Sequence, residues 1–165
     1  MKEFSSPWHI VLADYNNRIH ARAIVALLDE YASGPSGGGE PLSESVKTEL
    51  VPALQRANCA LTLLAFADDQ PIGLLNAFET LSTFKAKPLI NIHDIAVAAN
   101  WRRKGVGLSL MLKIEKLARE RGCCKLTLEV LEKNVSAQAL YRELGFDSYQ
   151  LQEEFGRALF WQKSI

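Results

Sequence analysis

The stretch Ile95-Ala96-Val97-Ala98-Ala99-Asn100-Trp101-Arg102-Arg103-Lys104-Gly105-Val106-Gly107-Leu108 decides how the rest of the chain is read. An apolar run of strand character enters a basic, glycine-bearing turn, and the turn opens a helix. Glycine adopts backbone conformations that other residues resist and lets a ligand approach the chain closely. The first turn of a helix carries N–H groups without intrahelical partners and a partial positive charge, which together seat an anion. Arg102, Arg103 and Lys104 place three cations beside that seat. The combination predicts a phosphate or pyrophosphate site. A P-loop would end in Gly-Lys-Ser/Thr, which Leu108-Ser109 does not supply. A dinucleotide fingerprint would need glycine where Leu110 stands, and it belongs to the first βα unit of a chain rather than to a late one.

Upstream, Trp8–Ala13 reads as a strand, and Asn16-Asn17 cap a helix running to Ala32 with Ile19, Ala23, Leu27 and Tyr31 four apart. Ser33–Pro41, with four glycines and two prolines, is expected to be a loop. Leu42, Val46, Leu50 and Leu54 mark a second helix, with a kink or restart expected at Pro52. Ala60–Ala67 and Ile72–Thr80 read as a hairpin, and Leu89–Ala98 as the strand entering the basic turn. Downstream, a helix to about Arg121 precedes a strand Lys125–Leu131 and a helix Ser136–Leu144 ended by Gly145. Two more strands are expected near Ser148–Leu151 and Ala158–Gln162. The order predicts one mixed α/β domain over residues 1–165, mostly antiparallel, with one late βαβ-like crossover.

Composition narrows the function. Nineteen Lys plus Arg balance nineteen Asp plus Glu, so formal charge is zero. A nucleic-acid binder or a polybasic membrane-surface protein would need a cationic excess, so neither partner is expected. The apolar run Cys59–Ala67 is far short of the roughly 18–20 residues of a membrane span, and Met1-Lys2-Glu3-Phe4 does not open a secretory signal. Three cysteines without a CxxC spacing and three scattered histidines form no zinc pattern, so no metal is expected. Reduced, partly buried thiols in a cytoplasmic protein are the expectation.

Arg102-x-x-Gly105-x-Gly107 resembles the acetyl-CoA signature Q/R-x-x-G-x-G/A of the GCN5-related N-acetyltransferase family. Leu128-Glu129-Val130, Asn134, Ala139-Leu140-Tyr141 and Leu144-Gly145-Phe146 follow in that family's order, and the likeness is strongest over Asn91–Phe146. The resemblance implies a seven-stranded, mostly antiparallel sheet, splayed between strands four and five and flanked by four helices. It implies that backbone groups of Ile95, Ala96 and Val97 meet the pantetheine arm of acetyl-CoA. Arg102, Arg103, Lys104, Gly105, Val106, Gly107 and Leu108 would hold the pyrophosphate, and Asn134 the pantetheine. Tyr141 would protonate the departing thiolate. A homodimer is compatible with the same resemblance.

A base is needed to take the acceptor's proton. Period-two alternation puts Asn91, His93, Ile95 and Val97 on one face of the strand, and a histidine ordinarily titrates near neutrality. Arylalkylamine acetyltransferases carry histidines on this strand, and polyamine acetyltransferases a glutamate where His93 stands, before an aspartate like Asp94. His93 is equally readable as a hydrogen-bonded core residue. Glu129 is the competing base, because ribosomal-protein acetyltransferases have a functional glutamate at the matching place. Phe78–Phe84 resembles the diamine and polyamine branch, which implies a small cationic amine as acceptor. Asp29, Glu30, Glu44 and Glu79 are candidates to draw it in. A protein N-terminus or lysine is the alternative acceptor, and a non-catalytic acyl-CoA-binding module the alternative of another class.

Overall fold

Asn17 fixes where the first helix starts. Its backbone is extended, and its side chain accepts from the N–H groups of Ile19 and His20, so α1 runs Arg18–Ser33. Ser43 does the same for α2, Glu44–Arg56, by accepting from Val46 N–H. The kink or restart expected at Pro52 does not appear as a break: α2 passes through it to Arg56. The computed structural model describes residues 7–149, 154, 156 and 158–165, which divide into the compact units Met1–Leu128 and Glu129–Ile165.

The first unit holds β1 (His9–Leu12), α1, α2, β2 (Ala60–Ala67), β3 (Gln70–Ser82), β4 (Lys87–Val97), a 3-10 turn (Ala99–Trp101), α3 (Val106–Glu120) and β5 (Leu126–Leu128). The sheet order is β1-β2-β3-β4-β5. The first four strands pair antiparallel and β5 lies parallel to β4, with α3 as the crossover between them. Helices cover both faces. Ile24 and Leu27 of α1 and Leu54 of α2 pack with Leu64 and Leu74 on one side. Gly73, which points the opposite way from Leu74, lies under α3: a Cβ there would come within 2.8 Å of Val106 and 3.2 Å of Leu110. That close approach requires glycine at 73.

In the second unit Asn134 caps α4 (Val135–Glu143), accepting from Ala137 N–H at 3.2 Å. Phe146 N–H donates to the Tyr141 carbonyl at 2.9 Å, closing the helix beyond Gly145 (φ 85°).

The fold expected from the sequence is present, with a different strand count: five strands stand among the described residues, not seven. The fifth is shorter than Lys125–Leu131: it runs Leu126–Leu128, and Val130 and Leu131 beyond it are exposed. Of the two expected C-terminal strands, the first lies partly outside the described residues. The second, Ala158–Gln162, is irregular, its Leu159, Phe160 and Trp161 all exposed, although Ala158 N–H donates to the Tyr149 carbonyl at 3.0 Å. Among the described residues no helix is long and apolar enough to cross a membrane.

Candidate active site

The outer edge of β4 opens halfway along its length. β5 pairs with β4 only at Ile90, Asn91 and Ile92, so from His93 to Val97 that edge has no strand beside it among the described residues. The other edge pairs with β3 through to Val97, opposite Gly73. Ala98 N–H donates to the Ile72 carbonyl, and antiparallel alternation then turns the backbone groups of Ala96 and Asp94 toward β3. Those of Ile95 and Val97 face the open edge. An extended ligand laid there meets N–H and C=O groups as an added strand would. Arg102 has already taken one of them: its Nε donates to the Val97 carbonyl at 3.1 Å.

Below the opening the strand bulges. Ile92 pairs with Ala77 and Asp94 with Asn76, so β4 advances two residues where β3 advances one, and His93 is the extra residue. The bulge corrects the period-two reading of this strand. Asn91 shares a face with Phe78, whereas Ile95 shares one with Leu75, so Asn91 and Ile95 lie on opposite faces. His93 is not a core histidine; its side chain is 63% exposed, its ring edge-on to Phe78 at 5.5 Å. Its Nδ1 lies 4.0 Å from Asp94 Oδ1. Asp94 Oδ2 accepts from Asn76 Nδ2 at 3.1 Å. Tyr31, on α1, is raised above its ordinary value by burial first and by the Asp94 charge second.

The basic turn brings three cations beside an uncapped helix start. Arg103 (φ 58°) and Gly105 (φ 95°) are both left-handed, and Gly105 precedes α3 without any side-chain cap. The N–H groups of Val106, Gly107 and Leu108 open the helix. Glycine is needed at 105 for its φ, not for space, since a Cβ would meet only the Trp8 ring at 3.8 Å. Trp8 was not singled out from the sequence, yet it braces this turn. Its indole N–H donates to Ser109 Oγ, which donates to the Gly105 carbonyl, and its ring meets Trp101 edge-on at 6.2 Å. Lys104 Nζ sits 5.0 Å from the centre of the Trp101 ring.

In the second unit Tyr141 is 7% exposed, its ring 6.0 Å from that of Phe146. Asn134 has the helix-capping role described above. Glu129 is exposed, just beyond β5.

The four acids proposed to draw in a cation are engaged elsewhere. Asp29 pairs with Lys47 at 3.1 Å and accepts from Leu42 N–H, and Glu44 also pairs with Lys47. Glu30 accepts from Ala99 N–H at 2.8 Å, and Glu79 from Arg121 at 2.9 Å. The acid next to His93 is Asp94, which the sequence reading did not rank among the cation-drawing acids. The Ser33–Pro41 loop folds back on the end of α1: Gly39 N–H donates to the Ala32 carbonyl, and Tyr31 Oη donates to the Ser36 carbonyl at 3.4 Å. Burial pushes the Cys123 thiol above its ordinary value, which suits packing and not thiolate chemistry.

Comparison with known proteins bears on the same residues. The family model for the acetyltransferase (GNAT) family matches residues 21–146. A thialysine N-epsilon-acetyltransferase of Bos taurus is 38% identical over 93 residues, which are 53% of this chain and 54% of the relative. The chain thus spans about half the length of that curated relative. The crystal structure of a probable acetyltransferase superposes with a TM-score of 0.77 at 24% identity, covering 95% of this chain and 99% of the other. AAC(6')-Iy in complex with the bisubstrate analogue CoA-S-monomethyl-acetylneamine superposes with a TM-score of 0.74 at 18% identity, covering 97% and 100%. At such identities the two structures speak for the fold alone.

Proposed function

Because the chain belongs to the acetyltransferase (GNAT) family, we propose that it moves the acetyl group of acetyl-CoA directly to a primary amine on a small, cationic molecule, such as a diamine, a polyamine or a lysine-like amino acid. The observation that carries this reading is the open edge of β4 leading into the uncapped start of α3. A long ligand with a peptide-like arm and a pyrophosphate matches that sequence of groups. Ile95 and Val97 would hold the pantetheine arm along the strand edge, with Ala96, whose backbone groups face Leu74 of β3, between them. An N–H of Ile95 or Val97 would polarise the thioester carbonyl. The turn from Arg102 to Leu108 would take the pyrophosphate on its N–H groups, with Arg103 and Lys104 adding charge, and Asn134 would donate its amide N–H to the pantetheine.

A thioester is already activated, so the protein's task is alignment and stabilisation of the developing oxyanion. The amine nitrogen attacks the carbonyl carbon, the C–N bond forms, and the C–S bond breaks. His93 takes the proton of the attacking amine and Tyr141 protonates the leaving sulfur. The acceptor class is supported by Asp94 beside His93 and by the thialysine acetyltransferase likeness. We hold to a single cytoplasmic domain over residues 1–165, able to form a homodimer, as part of the same reading.

A panel of amines assayed for CoA release, repeated across pH, tests it. Small diamines and lysine-like amines are expected to be the best substrates. kcat/KM is expected to rise over the range where histidines ordinarily titrate, about pH 6 to 7. That limb should vanish in His93→Ala and persist in Glu129→Gln. A profile unchanged in His93→Ala and lost in Glu129→Gln gives the base role to Glu129. Acetyl-CoA binding without CoA release on any amine would favour a non-catalytic acyl-CoA-binding module.

A further inference from the structure

Two polar side chains are shut inside the sheet at positions where every neighbour along their strands is apolar. Thr62 on β2 is 1% exposed and Asn76 on β3 is 3% exposed. They are register partners, and Asn76 is in turn the register partner of Asp94, so the three form one row across three strands. The row continues beyond the sheet to Tyr15, whose Oη lies 3.0 Å from Thr62 Oγ1. Thr62 Oγ1 is 2.7 Å from Asn76 Oδ1, and Asn76 Nδ2 is 3.1 Å from Asp94 Oδ2.

The chemistry of these groups fixes the direction of every bond. A carboxylate only accepts, so the Asn76 amide must turn its nitrogen to Asp94 and its oxygen to Thr62. An amide oxygen only accepts, so Thr62 spends its single proton on Asn76. Thr62 can then only accept from Tyr15. Burial raises the Tyr15 phenol above its ordinary value, which keeps it a donor. All the donors therefore point the same way, from Tyr15 to Asp94. Such a chain through the buried pair Thr62 and Asn76 has no alternative orientation, since reversing either leaves a buried group unpaired. Its end point is the carboxylate whose other oxygen, Oδ1, lies 4.0 Å from His93 Nδ1. The titratable groups facing this end are His93 itself, Tyr31 from α1, and Tyr15 through the row.

We propose that Thr62 and Asn76 are positioning residues: they hold the Asp94 carboxylate 4.0 Å from His93 Nδ1, an ion-pair distance rather than a hydrogen bond, where its charge favours the His93 proton on Nδ1 and leaves Nε2 as the nitrogen that receives the acceptor's proton. When the amine attacks, its proton passes to Nε2 and His93 becomes an imidazolium facing Asp94. The assignment rests on His93 as the base in the reading above. It also gives the bulge a purpose, because the extra residue is what sets His93 next to the end of the row.

Substitutions at Thr62 separate hydroxyl from packing. Thr62→Val keeps the shape and loses the bond, whereas Thr62→Ser keeps the bond and loses a methyl group. With acetyl-CoA and the best amine of the panel, kcat is expected to fall about tenfold in Thr62→Val and in Asp94→Asn. Thr62→Ser should stay within about twofold, and the KM for acetyl-CoA should move by less than about twofold in all three. In a His93→Ala background Thr62→Val and Asp94→Asn should add nothing. Nitrogen-15 NMR of the His93 ring, assigned with His93→Ala, should read the Nδ1–H tautomer in the native protein and a shift toward Nε2–H in Thr62→Val. The proposal is overturned if Thr62→Ser loses as much as Thr62→Val, if Thr62→Val keeps its tenfold effect without His93, or if the tautomer does not change. Should Thr62→Val fail to fold, Asp94→Asn, at a partly exposed position, carries the same comparison. A His93→Ala enzyme with native kcat sinks the base reading itself, and the proposal with it. A crippled His93→Ala beside an unaffected Thr62→Val sinks the proposal alone.

Discussion

Tyr141 is where residue chemistry and residue packing can be told apart. It is buried on α4 with its ring against Phe146, so its apolar part is satisfied as core. Tyr141→Phe keeps that packing and removes only the hydroxyl. kcat is expected to fall by about 10- to 100-fold, with acetyl-CoA affinity within about twofold by calorimetric titration. A matching loss of affinity would instead make the hydroxyl a contact to the bound cosubstrate. Tyr141 could be found from sequence because it stands in a local motif with Leu144, Gly145 and Phe146. Asp94 could not be ranked that way. A lone acid in an apolar strand has no visible partner, and its partner row lies on two other strands. His93 was legible as a candidate, but its face was not, because a bulge leaves no mark in the alternation of residue types.

Elements were easiest to read where a local signal sets their ends. Asn17 caps α1 at the expected place, and Gly122 (φ 70°) follows α3; the Ser43 cap of α2 is seen only in the structure. At Pro52 no restart occurs, although a proline removes one donor from the ladder: α2, with Val51 and Leu54 buried, runs through it to Arg56. The tie between α1 and α2 was invisible, since Asp29 and Lys47 are far apart in sequence. The Lys47 ammonium holds the Asp29 carboxyl below its ordinary 3.8, and Asp29 with Glu44 holds Lys47 above its ordinary 10.5. Asp29 with a depressed value contributes stability above pH 3.8 and loses it as pH falls through the lower folded value. Lys47 with a raised value contributes below pH 10.5 and loses it as pH rises through the higher one. Asp29→Asn keeps an acceptor for Leu42 N–H and removes the charge. In urea melts the variant is expected to be slightly weaker than the native protein at pH 7, with the gap closing below pH 3.8. A gap that widens in acid would contradict the pairing.

At the scale of the whole molecule, charge balance and site chemistry have to be reconciled. The chain is neutral overall, yet it gathers Arg102, Arg103 and Lys104 at one turn. A neutral surface gives little long-range attraction to polyanions, so in the proposed reading recognition of a phosphorylated ligand would come from the N–H groups at the start of α3 and from the open edge of β4. These two features are far from equivalent in selectivity. The helix start alone would accept any pyrophosphate, whereas the strand edge accepts only a ligand that continues as an extended arm. Ligands that share the pyrophosphate but differ beyond it therefore discriminate between the readings. Acetyl-CoA and CoA carry both parts, NAD and ATP carry the phosphates without the arm, and pantetheine carries the arm without the phosphates. A ligand at 100 times its Kd stabilises the native state by about 2.7 kcal/mol, which a thermal melt resolves readily. Acetyl-CoA and CoA are expected to raise Tm by similar amounts, and pantetheine, ATP and NAD each by clearly less at the same concentration. Equal shifts with CoA and pantetheine would remove the phosphate role from the Arg102–Leu108 turn. A shift with NAD and none with acetyl-CoA would remove the β4 edge as the seat of a pantetheine arm.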